Sequence, residues 1–430
     1  MTQVIQRFGD GRDWFFQKRF GLFVHWGLYA IDGWHEQMQY RLQIPKHEYV
    51  KLIEKFNPQD FDPEQWLDLA ESAGMEYICF TTKHCDGFCL YNSSFTDYNV
   101  MNTPFGKDIV KLLAEACHKR NMPLCLYYSV PDMHHPNYPH RGKPYERWIP
   151  DPSDSPDLMK YVDYVTNQVT ELCSNYGEIH SFWWDGGTIL DFPYPAINAL
   201  IHELQPKAVI NNRGFFDEGD FGTPERDWYE YVNTASAFDK PTEACQSIGT
   251  QSWGYRKDED YYSDRHLMES MIKIMAKGGN YLLNAGPMAD GNFPEEADRI
   301  LRNLGQWLKP IRDSLYNVEP INRMVANPDI LLTRKGNKLY VHLYKLPKSD
   351  TVWLKPIETA PIIAKLLNTG EQVEASLEMT PSLYKDKKGM LRIRGLPVNE
   401  FTGSVMVLEL EFEQFPEDMD PSLVAPEVQL

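Results

Sequence analysis

The chain has 430 residues, with 43 Lys and Arg against 61 Asp and Glu, for a formal net charge of −18. That charge repels phosphate and argues against nucleic acid or an anionic membrane as a partner. The length exceeds one ordinary core, so a large domain and a smaller one are expected.

The elements follow in chain order. Residues 1–13 show no basic segment followed by an apolar one, so no signal peptide is expected; the expected location is cytoplasmic, the alternative being export by a route the sequence does not show. No run of 18 apolar residues occurs, so no membrane span is expected. Phe20–Val24 reads as a buried strand. Asp62-Pro63 is an N-cap with Pro at the first helical position. Trp66, Leu69, Ala70 and Ala73 then take i, i+3, i+4, i+7 spacing, and Gly74 closes the helix. A strand is expected at 77–82. The alternation continues with a helix face at Ile109, Leu112, Leu113 and Ala116 and a strand at 124–129. Next come a helix face at Val162, Val165, Val169 and Leu172, a strand at 179–185, a helix at 197–205 and a strand at 208–211. A helix face at Leu267, Met271, Ile274 and Met275 precedes a strand at 280–285 and a helix at 295–308. Strands alternating with helices predict parallel strands with helical crossovers, and their number favours a (β/α)8 TIM-like barrel over an open sheet. No G-x-G-x-x-G follows the first strand, and no cofactor is expected. From about 325 short strands follow one another between turns, at 330–333, 339–343, 351–354, 362–367, 391–393 and 405–410, which predicts an antiparallel β-sandwich. The expected division is a barrel over 1–318, a sandwich over 319–412, and an acidic tail over 413–430 containing Pro416, Pro421 and Pro426.

In such a barrel the active site lies where the strands end. Those ends carry His25-Trp26-Gly27, Lys83-His84-Cys85-Asp86, Tyr127-Tyr128-Ser129, Trp183-Trp184-Asp185-Gly186-Gly187, Asn211-Asn212-Arg213 and Asn284-Ala285-Gly286-Pro287, with Glu243 on a further segment. A rim so polar and aromatic fits a sugar pocket, with hydroxyls on His, Tyr and Arg and a ring face on Trp. The aromatic excess (13% of residues) is otherwise simply core. At the rim, however, it places Trp26, Tyr127, Tyr128, Trp183 and Trp184. Glycoside hydrolysis needs two carboxylates. Asp185 is the candidate nucleophile, because two Trp precede it and two Gly follow it, allowing backbone to approach a ligand closely. Candidates for the second carboxylate are Glu225, Glu243 and Glu36.

These residues carry a resemblance. Arg19-Phe20-Gly21-Leu22-Phe23-Val24-His25-Trp26-Gly27, Thr81-Thr82-Lys83-His84-Cys85-Asp86-Gly87-Phe88, Trp183-Trp184-Asp185-Gly186 and Lys277-Gly278-Gly279-Asn280-Tyr281-Leu282-Leu283-Asn284-Ala285-Gly286-Pro287 occur in that order. Asn211-Asn212-Arg213, Thr223-Pro224-Glu225 and Ser252-Trp253-Gly254-Tyr255 fit the same pattern. Over residues 14 to 310 the chain resembles the α-L-fucosidases of glycoside hydrolase family 29. The resemblance implies a retaining exo-glycosidase that removes terminal α-L-fucose from oligosaccharides or glycoconjugates by double displacement. It implies Asp185 as nucleophile, and His25, Glu36, His84, Trp183, Arg213 and one of Tyr127 and Tyr128 as fucose contacts. Adjacent strand residues point oppositely, so only one of the two tyrosines faces the sugar. The sequence departs from the pattern at Cys85, where a second His is common, and at Gln37, where a Trp commonly follows the Glu. The acid/base is not fixed within the family. It corresponds to Glu225 or to Glu243, and Glu243 is favoured because Glu-x-Cys and Ser252-Trp253-Gly254-Tyr255 are both kept. Its pKa is expected to be raised by the charge of Asp185, with the two carboxyls roughly 5–5.5 Å apart. The alternatives are an α-L-galactosidase, a metal-dependent hydrolase using His25, His84, His134 and His135, and a non-catalytic sugar-binding protein. No His-x-His ends a strand, which weighs against the metal reading. The oligomeric state is left open.

Overall fold

The computed structural model describes residues 5–143, 146–226, 233, 236–379 and 389–416. Seven parallel strands line one sheet: β1 (Phe20–Val24), β2 (Ile78–Lys83), β3 (Leu124–Ser129), β4 (Ser181–Asp185), β5 (Val209–Ile210), β6 (Glu243–Ser247) and β7 (Asn280–Ala285). Their order is β5-β4-β3-β2-β1-β7-β6. The gap between β5 and β6 is filled by residues 221–226. Phe221 bridges Asn211 on one side, while Gly222 and Glu225 bridge Thr242 and Cys245 on the other, all in parallel. An irregular eighth segment therefore closes the barrel, and Pro224 within it explains why it forms no regular strand.

Among the described residues, six longer helices cover the outside: α1 (Pro63–Ser72), α2 (Ile109–Arg120), α3 (Leu158–Asn175), α4 (Ala196–Leu204), α5 (Asp264–Met275) and α6 (Glu295–Ile311). Asp62, Asp108, Asp157 and Ser263 cap α1, α2, α3 and α5 by accepting backbone N–H bonds. The helix expected to stop at 308 runs on to Ile311, past Pro310. Leu308 and Ile311 are both fully buried, and packing of that last turn outweighs the missing N–H.

Period-two alternation sorts the barrel strands into two faces. Leu22, Val24, Phe80, Leu126, Phe182 and Leu283 pack outward against the helices. Phe23, Cys79, Cys125, Tyr127, Trp183, Val209, Cys245 and Leu282 fill the interior. An N-terminal plug closes the lower end, where Phe15 packs on Phe221 with ring centroids 4.9 Å apart and its carbonyl accepts from Asn280 Nδ2.

The remaining chain forms two antiparallel sheets. One orders β12 (Ile363–Leu366), β15 (Met406–Glu411), β10 (Lys338–Leu343), β9 (Leu331–Lys335) and β8 (Glu319–Pro320). The other orders β11 (Val352–Leu354), β14 (Met390–Arg394) and β13 (Glu374–Glu378). Leu339, Val341, Leu354, Leu391, Ile393, Leu408 and Leu410 form the core between them. The strand β13 was not expected, because Glu-Ala-Ser-Leu-Glu lacks the β-branched and aromatic residues that mark a strand. The sandwich docks on the barrel helices: Trp307 Nε1 donates to the Val405 carbonyl at 2.9 Å, and Arg265 Nη1 donates to the carbonyls of Phe401 and Ser404. Residues 417–430 of the acidic tail lie outside the described residues.

Candidate active site

Asp185 is the last residue of β4, and parity with Trp183 aims it along the barrel interior. Its Oδ2 accepts from Tyr127 Oη at 2.9 Å, and its Oδ1 accepts from Arg213 Nη1 at 3.3 Å. It is 37% exposed, open to a ligand from above. The two following glycines serve this geometry. Gly186 takes a left-handed φ of 68°, and a Cβ on Gly187 would lie 2.6 Å from Phe215 N. Gly187 N donates to the Arg213 carbonyl at 3.0 Å. The close approach is thus made by the Arg213 backbone rather than by a ligand.

Arg213 gathers the site. Its guanidinium lies 4.8 Å from the Trp183 ring centroid. Nε donates to Thr223 Oγ1 at 2.8 Å, Nη2 to the Thr223 carbonyl at 3.0 Å, and Nη1 to Glu225 Oε2 at 3.0 Å as well as to Asp185. One oxygen of each carboxyl therefore meets the same nitrogen. Burial works against the Arg213 charge, but Cys245, Glu225 and Asp185 around it hold its pKa above the ordinary guanidinium value.

A second cluster faces this one. A register shift between Thr81 and Lys83 sends Lys83 outward, to Asp132 Oδ2 at 2.9 Å, and turns His84 inward. The His84 ring stacks on Tyr127 with centroids 5.8 Å apart and lies 5.7 Å from His25. Asn284 Nδ2 donates to the Trp253 carbonyl at 2.7 Å, so its Oδ1 faces His25 Nδ1, also at 2.7 Å. Nδ1 therefore carries the proton and Nε2 is the acceptor of a neutral ring. Burial pushes the His25 pKa down to about 3, with His84 adding to the effect. Glu36 Oε2 accepts from Ser252 Oγ at 2.6 Å and from the Trp253 and Gly254 amides. Its Oε1 is buried with no hydrogen-bond partner among the described residues. Burial opposes the Glu36 charge, but His35, Ser252, His84 and His25 together hold its pKa below the usual carboxylate value.

Beneath His84, Asp86 accepts from Tyr49 Oη and Phe88 N. Burial raises its pKa to about 7, with Asp132 adding to the rise and Lys83 opposing it; Tyr98 also faces it. Since the folded-state value lies above the ordinary 3.8, the stability it contributes is complete below that value. It is lost as the pH rises through about 7. An Asp86→Asn variant escapes this loss, so its thermal midpoint relative to the parent should climb between pH 5 and pH 8. Differential scanning fluorimetry across that range checks it, and a constant offset would contradict it.

Several sequence expectations need correction. Glu243, on a segment where no strand is expected, is the first residue of β6. It sits low in the barrel, 3% exposed, with Oε1 accepting from Trp183 Nε1 at 3.0 Å and Oε2 from Tyr77 Oη at 2.6 Å. It makes no contact with Asp185; its pKa is raised to about 7, but by burial, with Asp185 not among the causes. Glu225 is the glutamate beside Asp185, through Arg213. Tyr128 points outward, its hydroxyl donating to Gln168 Oε1 at 2.7 Å. Trp26 and Trp184 also face the helices, with indole N–H groups on the Met288 carbonyl and Asn198 Oδ1. Gln37 turns to Tyr40 and Arg41. His134 stacks on Tyr98 at 3.8 Å, and His134 and His135 bind Asp132 through their backbones, away from His25 and His84. Cys85 Sγ lies 3.4 Å from His84 Nδ1. Trp253, Asn284 and Thr223 were missed as site residues. Trp253 lies 5.3 Å from the His25 ring, and its Ser-Trp-Gly-Tyr setting was the signal available.

A family profile described as alpha-L-fucosidase matches residues 7–311. Bovine (Bos taurus) tissue alpha-L-fucosidase is 26% identical over 404 residues, covering 86% of this chain and 82% of its own. Among solved structures, alpha-L-fucosidase isoenzyme 1 from Paenibacillus thiaminolyticus is 32% identical, with a TM-score of 0.79 over 94% of this chain and 99% of its own. A Bacteroides thetaiotaomicron GH29 alpha-L-fucosidase, trapped as a covalent intermediate with 2-fluoro-fucosyl fluoride in a Glu-to-Gln variant, is 26% identical. Its TM-score is 0.80 over 96% of this chain and 98% of its own.

Proposed function

The chain belongs to the α-L-fucosidases of glycoside hydrolase family 29, and from that premise we propose that Asp185 is its nucleophile and Glu225 its general acid/base. The enzyme hydrolyses α-L-fucosides with retention, and the galactosidase, metal-hydrolase and non-catalytic readings fall behind. The observation that carries the assignment is the shared Arg213 Nη1, within 3.3 Å of Asp185 and 3.0 Å of Glu225. In the first step an Asp185 oxygen attacks the anomeric carbon while Glu225 gives its proton to the departing glycosidic oxygen. In the second, Glu225 takes a proton from water, and the resulting hydroxide displaces Asp185 from the sugar. His25 Nε2 and Glu36 Oε1 accept bonds from fucose hydroxyls, with Trp183 and Trp253 as apolar surface. Terminal fucose on oligosaccharides or glycoconjugates is the substrate this pocket suits.

A Glu225→Gly variant tests the acid/base role. Its kcat on an unactivated fucoside should fall by about 10²–10⁴-fold, but far less on a fucoside with a good leaving group. Azide should restore turnover and release the α-fucosyl azide, because Asp185 still forms the intermediate. A β-azide, or an equal loss on both substrates, would remove Glu225 from the role.

A further inference from the structure

The reaction scheme gives Glu243 no task, yet a buried carboxyl is costly unless its contacts offset the lost hydration. Both of its oxygens are committed, one to the Trp183 indole N–H and one to the Tyr77 hydroxyl. Trp183 in turn carries two groups. Tyr127 stacks on it with centroids 5.6 Å apart and planes 23° apart, and the Arg213 guanidinium lies over its ring at 4.8 Å. These two groups donate to the two oxygens of Asp185, Tyr127 to Oδ2 and Arg213 to Oδ1. We propose that Glu243 is a positioning residue for the nucleophile: by anchoring the Trp183 indole from below, it fixes the platform on which both donors to Asp185 rest. The inference builds on Asp185 as the nucleophile.

The neighbours make the anchor hard to replace. The thiols of Cys79, Cys125 and Cys245 lie within electrostatic reach of Glu243, and a thiol is a weak acceptor. Without Glu243 the indole N–H would be stranded in the barrel, and the ring would lose its one directional restraint from below. The anchor also outlasts protonation. An indole N–H can only donate, whereas a tyrosine hydroxyl donates or accepts. A proton on Glu243 therefore goes to the Tyr77 side, and Oε1 still faces Trp183. The groups facing this carboxyl from the surrounding strands are Tyr77, Trp183 and the three thiols. A positioning Glu243 should accordingly leave the pH–rate profile unchanged, as an acid/base would not.

Glu243→Gln keeps an acceptor for Trp183 and can donate to Tyr77. It should recover kcat to within a few-fold, with both pH limbs in place. Glu243→Leu removes the anchor and should lower kcat by about 10–100-fold, with KM changing much less, as displaced reacting groups do. The rate of trapping by 2-fluoro-fucosyl fluoride should fall in parallel, since fluoride leaves with little acid assistance. Should Glu243→Leu not fold, Trp183→Phe keeps a ring but lacks the N–H, and it should show the same losses. Mass spectrometry of the trapped enzyme separates the two readings. A label on Asp185 with parental trapping rates in both variants overturns the positioning role alone, and a label on another residue overturns the nucleophile assignment. A Glu243→Gln variant that loses the basic pH limb and is restored by azide as the α-azide would make Glu243 the acid/base.

Discussion

An Asp185→Gly variant should hydrolyse an aryl α-L-fucoside about 10⁴-fold or more slowly than the parent, which corresponds to ~5.4 kcal/mol of lost barrier reduction. The two oxygens of Asp185 are held by Tyr127 and Arg213, and the aspartate closes β4 with open space above it. The glycine leaves room for an anion, because Arg213 and the Tyr127 hydroxyl remain as donors around the vacated carboxylate position. Azide bound there attacks from the face Asp185 used, so turnover should return with β-fucosyl azide as product. NMR of that product decides the matter: an α-azide would mean that another residue forms the covalent intermediate. Unfolding is an unpromising explanation for the loss, since the side chain is more than a third exposed and lies at a strand end.

Arg213→Lys should cost nearly as much as Arg213→Met, about 10²–10³-fold in kcat/KM. A guanidinium presents its donors in a planar fork, and here the fork is used in full: Nε and Nη2 go to Thr223, and Nη1 goes to both carboxyls. An ammonium is a point charge on a flexible stem, so it cannot reproduce the fork or stack its plane on Trp183. In the methionine variant, losing the cation also leaves Asp185 and Glu225 without the positive charge between them. Steady-state kinetics of both variants on one substrate check this. A lysine variant that retains most activity would show that charge alone is needed, and the fork geometry would then carry no weight in the assignment.

Much of this site could be read before any coordinates. The His25, His84, Asp185 and Arg213 positions follow from strand ends that local periodicity marks well: Leu124–Ser129 and Asn280–Ala285 fall where the sequence places them. The irregular parts were not legible. Residues 221–226 contain Pro224 and no alternating pattern, yet they complete the barrel between β5 and β6. Glu243-Ala-Cys-Gln-Ser has no apolar run, so no strand is expected there, yet it forms β6. Strand-end tryptophans looked alike in sequence, but parity divides them: Trp183 faces the interior, and Trp26 and Trp184 face the helices.

The sequence by itself determined the alternation of elements, the family and the place of Asp185 at a strand end, because each rests on local spacing or on contiguous motifs around a regular strand. Only the tertiary structure showed how Glu225 and Glu243 differ in position. Both lie on the long stretch after Arg213, and both side chains turn into the barrel. What separates them is height along its axis. Glu225 bridges Cys245, two residues further up than Glu243, and so reaches Arg213, while Glu243 lies below with Trp183 and Tyr77. Height is set by the register between a closing segment and its neighbour, a contact between residues about twenty positions apart that no local pattern encodes.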